Sequence, residues 1–173
     1  GLSAGQIVSF PSILEMRKSN AIAYRAVVKG FSGSLMYALG DNGEAANDSS
    51  QMVGFNASYK SDAFAVGAAY NAAKNELGQD SLKTTVFGAS MTSGAHKVSA
   101  MAIQITDDNP ANMGLIGNSL TASGLPASVA GVIQNAYTQA LKVDGQLIHL
   151  GYRNVTGPHT VSVAYNSYDD KRA

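Results

Sequence analysis

Apolar and polar residues alternate with a period of two through most of this chain. In residues 31–39, Phe31, Gly33, Leu35, Tyr37 and Leu39 fall on one side and Ser32, Ser34, Met36 and Ala38 on the other. Successive side chains of a β-strand point to opposite faces of its sheet, so this spacing predicts a strand with one apolar face and one small or polar face. The same division recurs. Val53, Phe55, Ala57 and Tyr59 oppose Gly54, Asn56, Ser58 and Lys60, and Phe64, Val66, Ala68 and Tyr70 oppose Ala65, Gly67, Ala69 and Asn71. Val161, Val163 and Tyr165 oppose Thr160, Ser162, Ala164 and Asn166. At 20–27, Asn20, Ile22, Tyr24 and Ala26 oppose Ala21, Ala23 and Arg25. Residues 82–91 are less clear, because Phe87, Ala89 and Met91 compete with Val86; the Phe87 side is read as the apolar one. With 97–105 and 147–154, this makes about eight strands of about ten residues each, the length that crosses a bilayer at a tilt.

Short connectors at 28–30, 61–62, 92–96 and 155–158 join the strands in pairs, and long polar connectors at 41–50 and 73–81 join the pairs. Tight turns on one rim and long loops on the other are the layout of an up-and-down outer-membrane β-barrel. Two segments break the rhythm. Residues 1–18 alternate poorly and read as a loop. Residues 107–145 are too long for a turn and carry Val129, Val132, Ile133, Ala136, Tyr137, Ala140 and Leu141 at helical spacing after Pro126. Pro126 suits the first turn of a helix and Gly145 lies just beyond its end, so one short helix on a long external loop is expected.

Aromatic residues gather toward strand ends (Tyr24, Phe31, Tyr37, Phe55, Tyr59, Phe64, Tyr70, Tyr152, Tyr165), with smaller aliphatics between them. That is how aromatic girdles flank an apolar band in a membrane barrel. A soluble β-sandwich also alternates, but it buries its large apolar face as a dry core, and it stays open as the competing architecture. Mean hydropathy is −0.02 and no stretch matches a membrane helix, a test to which barrels are blind because their two faces alternate. The formal net charge of zero gives no reason to expect nucleic acid as a partner. The absence of cysteine excludes disulfides and thiolate metal or redox sites.

Catalytic chemistry finds little support. His96 sits in a tight turn and reads as solvated, and His149 and His159 flank one hairpin as wall residues. None has a partner at metal-ligand spacing. Asp107–Asp108 and Asp169–Asp170 could attract a divalent ion but read as solvated loop acids. No nucleophile elbow, phosphate loop or dinucleotide fingerprint is present, and no Ser, His and Asp set stands out, so neither an enzyme nor a cofactor is expected.

The stretch RKSNAIAYRAVVKGFSGSLMYALGD, residues 17–41, resembles the Gram-negative general porin family in its beta-proteobacterial branch. The similarity lies in a basic residue and Asn before an alternating strand, a tight turn, then FSG opening a small-residue strand that ends MYALGD. FAVGAAYN and VFGASM are similar to the family's later hairpins, and the resemblance runs over residues 17–106 and 146–173. It implies an all-β transmembrane antiparallel barrel of sixteen strands, assembled as a homotrimer in outer-membrane lipid and passing small hydrophilic solutes and ions. In that family the third external loop folds into the lumen. Residues 1–18 would be the tail of this constriction loop, with Glu15 as the acid at the narrow zone and Arg17 and Lys18 at the loop exit. Arg25 would project from the wall, where opposed charges set a transverse field; its alternative is a rim position, snorkelling to water. Asn56 and Lys60, on the polar side of their strand, complete the pore-lining candidates.

The chain departs from the family in length. About eight strands would match the family's sixth to thirteenth, so a partial sequence, incomplete at both ends, is expected. A closed eight-stranded barrel has an interior nearly filled by side chains, whereas the Gly, Ala and Ser of this polar face would leave voids. The functional expectation is a passive diffusion channel of the outer membrane. The alternative is a small structural or adhesive outer-membrane barrel with no open pore.

Overall fold

The computed structural model describes residues 20–40, 50–111 and 113–172. The alternating segments form β1 (Ala21–Val28), β2 (Phe31–Ala38), β3 (Met52–Lys60), β4 (Phe64–Lys74), β5 (Asp80–Ser93), β6 (His96–Asp107), β7 (Val143–Thr156) and β8 (His159–Asp170). They make one antiparallel sheet in the order β1-β2-β3-β4-β5-β6-β7-β8, every strand bonded only to its neighbours in the chain. The sheet is not closed, since β1 and β8 do not pair with each other.

Turn chemistry sets the register on one rim. Lys29 and Gly30, with φ of 46° and 86°, form the two-residue turn between β1 and β2. Two positive φ values give the twist that two hairpin strands require. Gly30 is needed a second time, because a Cβ there would lie 2.5 Å from the Lys60 carbonyl oxygen. Gly94 and Gly157, with φ of 55° and 57°, open the β5–β6 and β7–β8 turns. Between β3 and β4, the Ser61 backbone N–H donates to the Phe64 carbonyl at 2.8 Å, and the Phe64 N–H donates to the Ser61 hydroxyl at 3.1 Å.

This register carries the two faces across the whole sheet. One row runs Val28, Phe31, Tyr59, Val66, Ala89, Ala100, Leu150 and Tyr165 through all the strands. The face of Phe87 is settled by its pairing with Ala68, which puts it on this apolar side. The apolar face is not covered: Ile22 and Tyr24 are each 70% exposed, Val163 64% and Phe87 60%. The few buried strand aliphatics, Ala38, Met52, Leu82 and Ile103, lie on the opposite face toward the long-loop rim. A sheet with its large apolar residues outside and no dry core beneath them needs an apolar surrounding.

The other face is small and polar through β1–β4, as the alternation requires. In β5–β7 it becomes more apolar toward the loop rim, with Val86, Ile103 and Leu147 in one row.

The segment between β6 and β7 differs from expectation. It holds two helices, α1 (Met113–Ala122) and α2 (Ala127–Leu141), rather than one. MGLIGNSLTA has no acidic first turn and no basic last turn, so local signals do not announce α1. It forms as half of a helical hairpin, in which the Gly117 N–H donates to Gln134 Oε1 of α2 at 3.0 Å. Gly145 is not a helix stop. It lies within β7, where the Tyr168 ring covers it and a Cβ would come 2.7 Å from the ring carbons Cε2 and Cζ.

Candidate functional site

The polar face is the surface whose side chains bear on function. Its neutral groups satisfy one another across the strands. Ser32 and Ser58 share a 2.8 Å hydrogen bond, and Asn56 Nδ2 donates to Ser34 Oγ at 2.6 Å. His149 Nδ1 lies 2.7 Å from Asn166 Oδ1 on β8. Each pair is directly opposed in the ladder, so the side chains meet because the register brings them together.

Arg25, Lys60, Lys97 and Arg153 project from the same face, and all are exposed. None of these side chains makes a hydrogen bond or ion pair with another described residue. The carboxylates sit elsewhere. Asp62 is in the β3–β4 turn, and the other described acids lie at the loop-side ends of β5–β8 or in the connectors beside them. Asp80 pairs with Lys83 at 2.8 Å and Asp170 with Arg172 at 2.5 Å. Asp107, read from sequence as solvated, is only 6% exposed and accepts a 3.1 Å hydrogen bond from the Ser81 hydroxyl. Arg172 also donates to the carbonyl of Lys142 at 2.6 Å, tying the end of β8 to the exit of α2. The polar face therefore carries Arg25 within β1 and Lys60, Lys97 and Arg153 toward the tight turns, with Asp62 as the described carboxylate on that rim.

Of the residues singled out in sequence, Arg25 and Asn56 share one row through Ser34, and Lys60 stands at the turn end of the same strand as Asn56. Glu15, Arg17, Lys18 and the whole 1–18 segment lie outside the described residues. Lys97 and Arg153 were not singled out, although the period-two rule places them opposite Val98 and Tyr152 and would have found them. His96 is not a free turn residue: it opens β6, with Nδ1 2.7 Å from the Tyr152 hydroxyl on the apolar face.

The described residues hold no group of three or more side chains able to bind a metal. No helix among them is long and apolar enough to cross a membrane.

Comparison with known proteins agrees with this geometry. The family model for Gram-negative porins matches residues 2–173. No curated protein matches the sequence. An anion-selective porin from Comamonas acidovorans is similar in structure with a TM-score of 0.60 and 17% identity, over 89% of this chain and 40% of that one. A second solved porin gives a TM-score of 0.56 and 19% identity, over 87% of this chain and 46% of its own. This chain thus spans less than half the length of either. A sheet with an uncovered apolar band, a cationic polar face and strands joined in chain order, matched along nearly its whole length by the family model, places the chain in the Gram-negative porin family of the outer membrane.

Proposed function

We propose that this chain forms part of the wall of a water-filled channel through which small hydrophilic solutes and ions diffuse passively, without chemistry and without a cofactor. The observation that carries the reading is the two-faced sheet. Large apolar side chains stand uncovered on one face, and small neutral and cationic side chains stand on the other. Lipid suits the first face and water the second. The outer edges of β1 and β8, unpaired among the described residues, support an arc of a wider barrel, because lipid does not tolerate open strand edges. The helical hairpin between β6 and β7 belongs on the external rim, opposite the tight turns.

Within the channel, Arg25, Asn56 and Lys60 line the wall. Glu15, Arg17 and Lys18 act at the constriction, a role that rests on the family resemblance alone. The wall cations, none of them ion-paired with a described carboxylate, favour anions, in keeping with the selectivity of the Comamonas relative. Assembly as a homotrimer follows from the same family likeness.

The test is conductance of the full-length protein in planar bilayers. The expected result is current that rises in proportion to potassium chloride, with a reversal potential of the chloride sign in a salt gradient. Folded protein that inserts and passes no current would overturn the channel and favour the adhesive barrel. The mass of the folded protein in mild detergent checks the trimer separately.

A further inference from the structure

The turn-side end of β6 and β7 carries an arrangement that a passive wall does not require. Lys97 and Arg153 are directly opposed in the ladder on the polar face. Opposed residues have their Cβ atoms about 5 Å apart, and like charges in that position destabilise a sheet. Neither side chain has an ion pair or hydrogen bond to another described residue, so the repulsion is uncompensated among the described residues. The ladder continues the same row with Thr92 on β5 and Ser162 on β8, a hydroxyl on each side of the two cations. Both cations line a pocket of about 160 Å³ together with Thr92 and the Gly94–Ala95 turn.

The adjoining row sets further polar groups beside the two cations. Gly151 sits between Arg153 and His149 on β7 and opposite Ser99 on β6. A Cβ at Gly151 would lie 2.6 Å from Ser99 Oγ and 3.0 Å from His149 Nε2. Both polar groups therefore lean over a position that has no side chain. The Ser99 hydroxyl and the His149 imidazole fill that position and stand next to the two cations on the same face.

We infer that Lys97 and Arg153, with Thr92, Ser99 and Ser162, form a binding site for a soluble tetrahedral oxyanion of the phosphate or sulfate class at the turn-side mouth of the channel. A dianion neutralises both cations at once. The guanidinium offers paired donors matched to two oxygens, and the ammonium and hydroxyls serve the others. The ligand is a free solute rather than a lipid headgroup, because these side chains project from the face opposite the apolar band. The site rests on the channel reading for its exposure to passing solute, and adds a saturable step to diffusion.

The experiment uses full-length protein in detergent and in planar bilayers. Inorganic phosphate is titrated at constant ionic strength, with phosphorus NMR line width in detergent and chloride conductance in the bilayer as readouts. Lys97→Gln with Arg153→Gln is compared with Lys29→Gln and Lys171→Gln, a charge-matched pair in a turn and beyond β8. Phosphate should broaden saturably and reduce the chloride current. The Lys97/Arg153 double variant should weaken both effects by about tenfold or more, while the Lys29/Lys171 variant keeps them. Equal loss in the two double variants, or a linear phosphate response in the unaltered protein, would overturn the site. Saturable line broadening without any chloride current would keep the site and overturn the channel instead.

Discussion

Single residues decide where this sheet turns and where it dips. At Gly30 a positive φ coincides with the close approach of the Lys60 carbonyl oxygen. Gly30→Ala is expected to cost about 1–2 kcal/mol from the backbone conformation alone, with the clash adding to it. Denaturant titration in detergent micelles checks this. Gly145 is different, because its demand comes from one side chain. Gly145→Ala should destabilise by about 1–3 kcal/mol as the Tyr168 ring is forced aside. Tyr168→Phe leaves the ring in place and should not rescue it, whereas Tyr168→Ala should. These two glycines also mark what could and could not be read beforehand. Gly30 follows Lys29 in a short connector between alternating strands, a local signal. Gly145 looks like a helix stop because it follows a helical run, and only the partner strand reveals that it makes room for a ring.

At the scale of strands and helices, alternation was the legible feature. Val53, Phe55, Ala57 and Tyr59 announce their shared face without help, while Phe87 needed the pairing with Ala68 to settle its side. The helix α2 was legible from its spacing, whereas α1 was not, since two glycines and no charged residue at its ends leave it little local signal beyond the Gly124 turn that closes it. Lys97 and Arg153 were legible in principle but gain meaning only when β6 and β7 are aligned. Two predictions belong here. Leu35→Arg, on the apolar face, is expected to cost about 2–4 kcal/mol of folding stability in lipid vesicles if it falls near the bilayer centre. Ala69→Arg, on the polar face, should cost far less and lower conductance instead. In the helical hairpin, Gln134→Ala removes the acceptor of the Gly117 N–H and should speed amide hydrogen exchange in α1 before it affects the strands.

For the whole molecule, the proposed channel takes its ion preference from the charge of the polar face. Exchanging Arg25 and Lys60 for Glu in one variant should move the reversal potential in a potassium chloride gradient toward the cation. The shift should be largest in dilute salt and shrink near 1 M, where the screening length falls to about 3 Å. An unchanged reversal potential would place these side chains away from the ion path. The zero net charge of the chain gives no hint of this preference, because the count sums all charges while the register sets Arg25, Lys60, Lys97 and Arg153 on one face. Composition therefore describes the sum, and register describes the field that a solute meets.

The strict chain-order pairing of the strands has a consequence for how such proteins change over generations. No strand is threaded between partners that are distant in sequence. A hairpin can then be duplicated or deleted as a cassette without rewiring the rest. Each such event alters the girth by two strand spacings, about 10 Å. Bore becomes a quantity that evolution adjusts in even steps by copying hairpins, while substitutions on the polar face tune it finely between those steps.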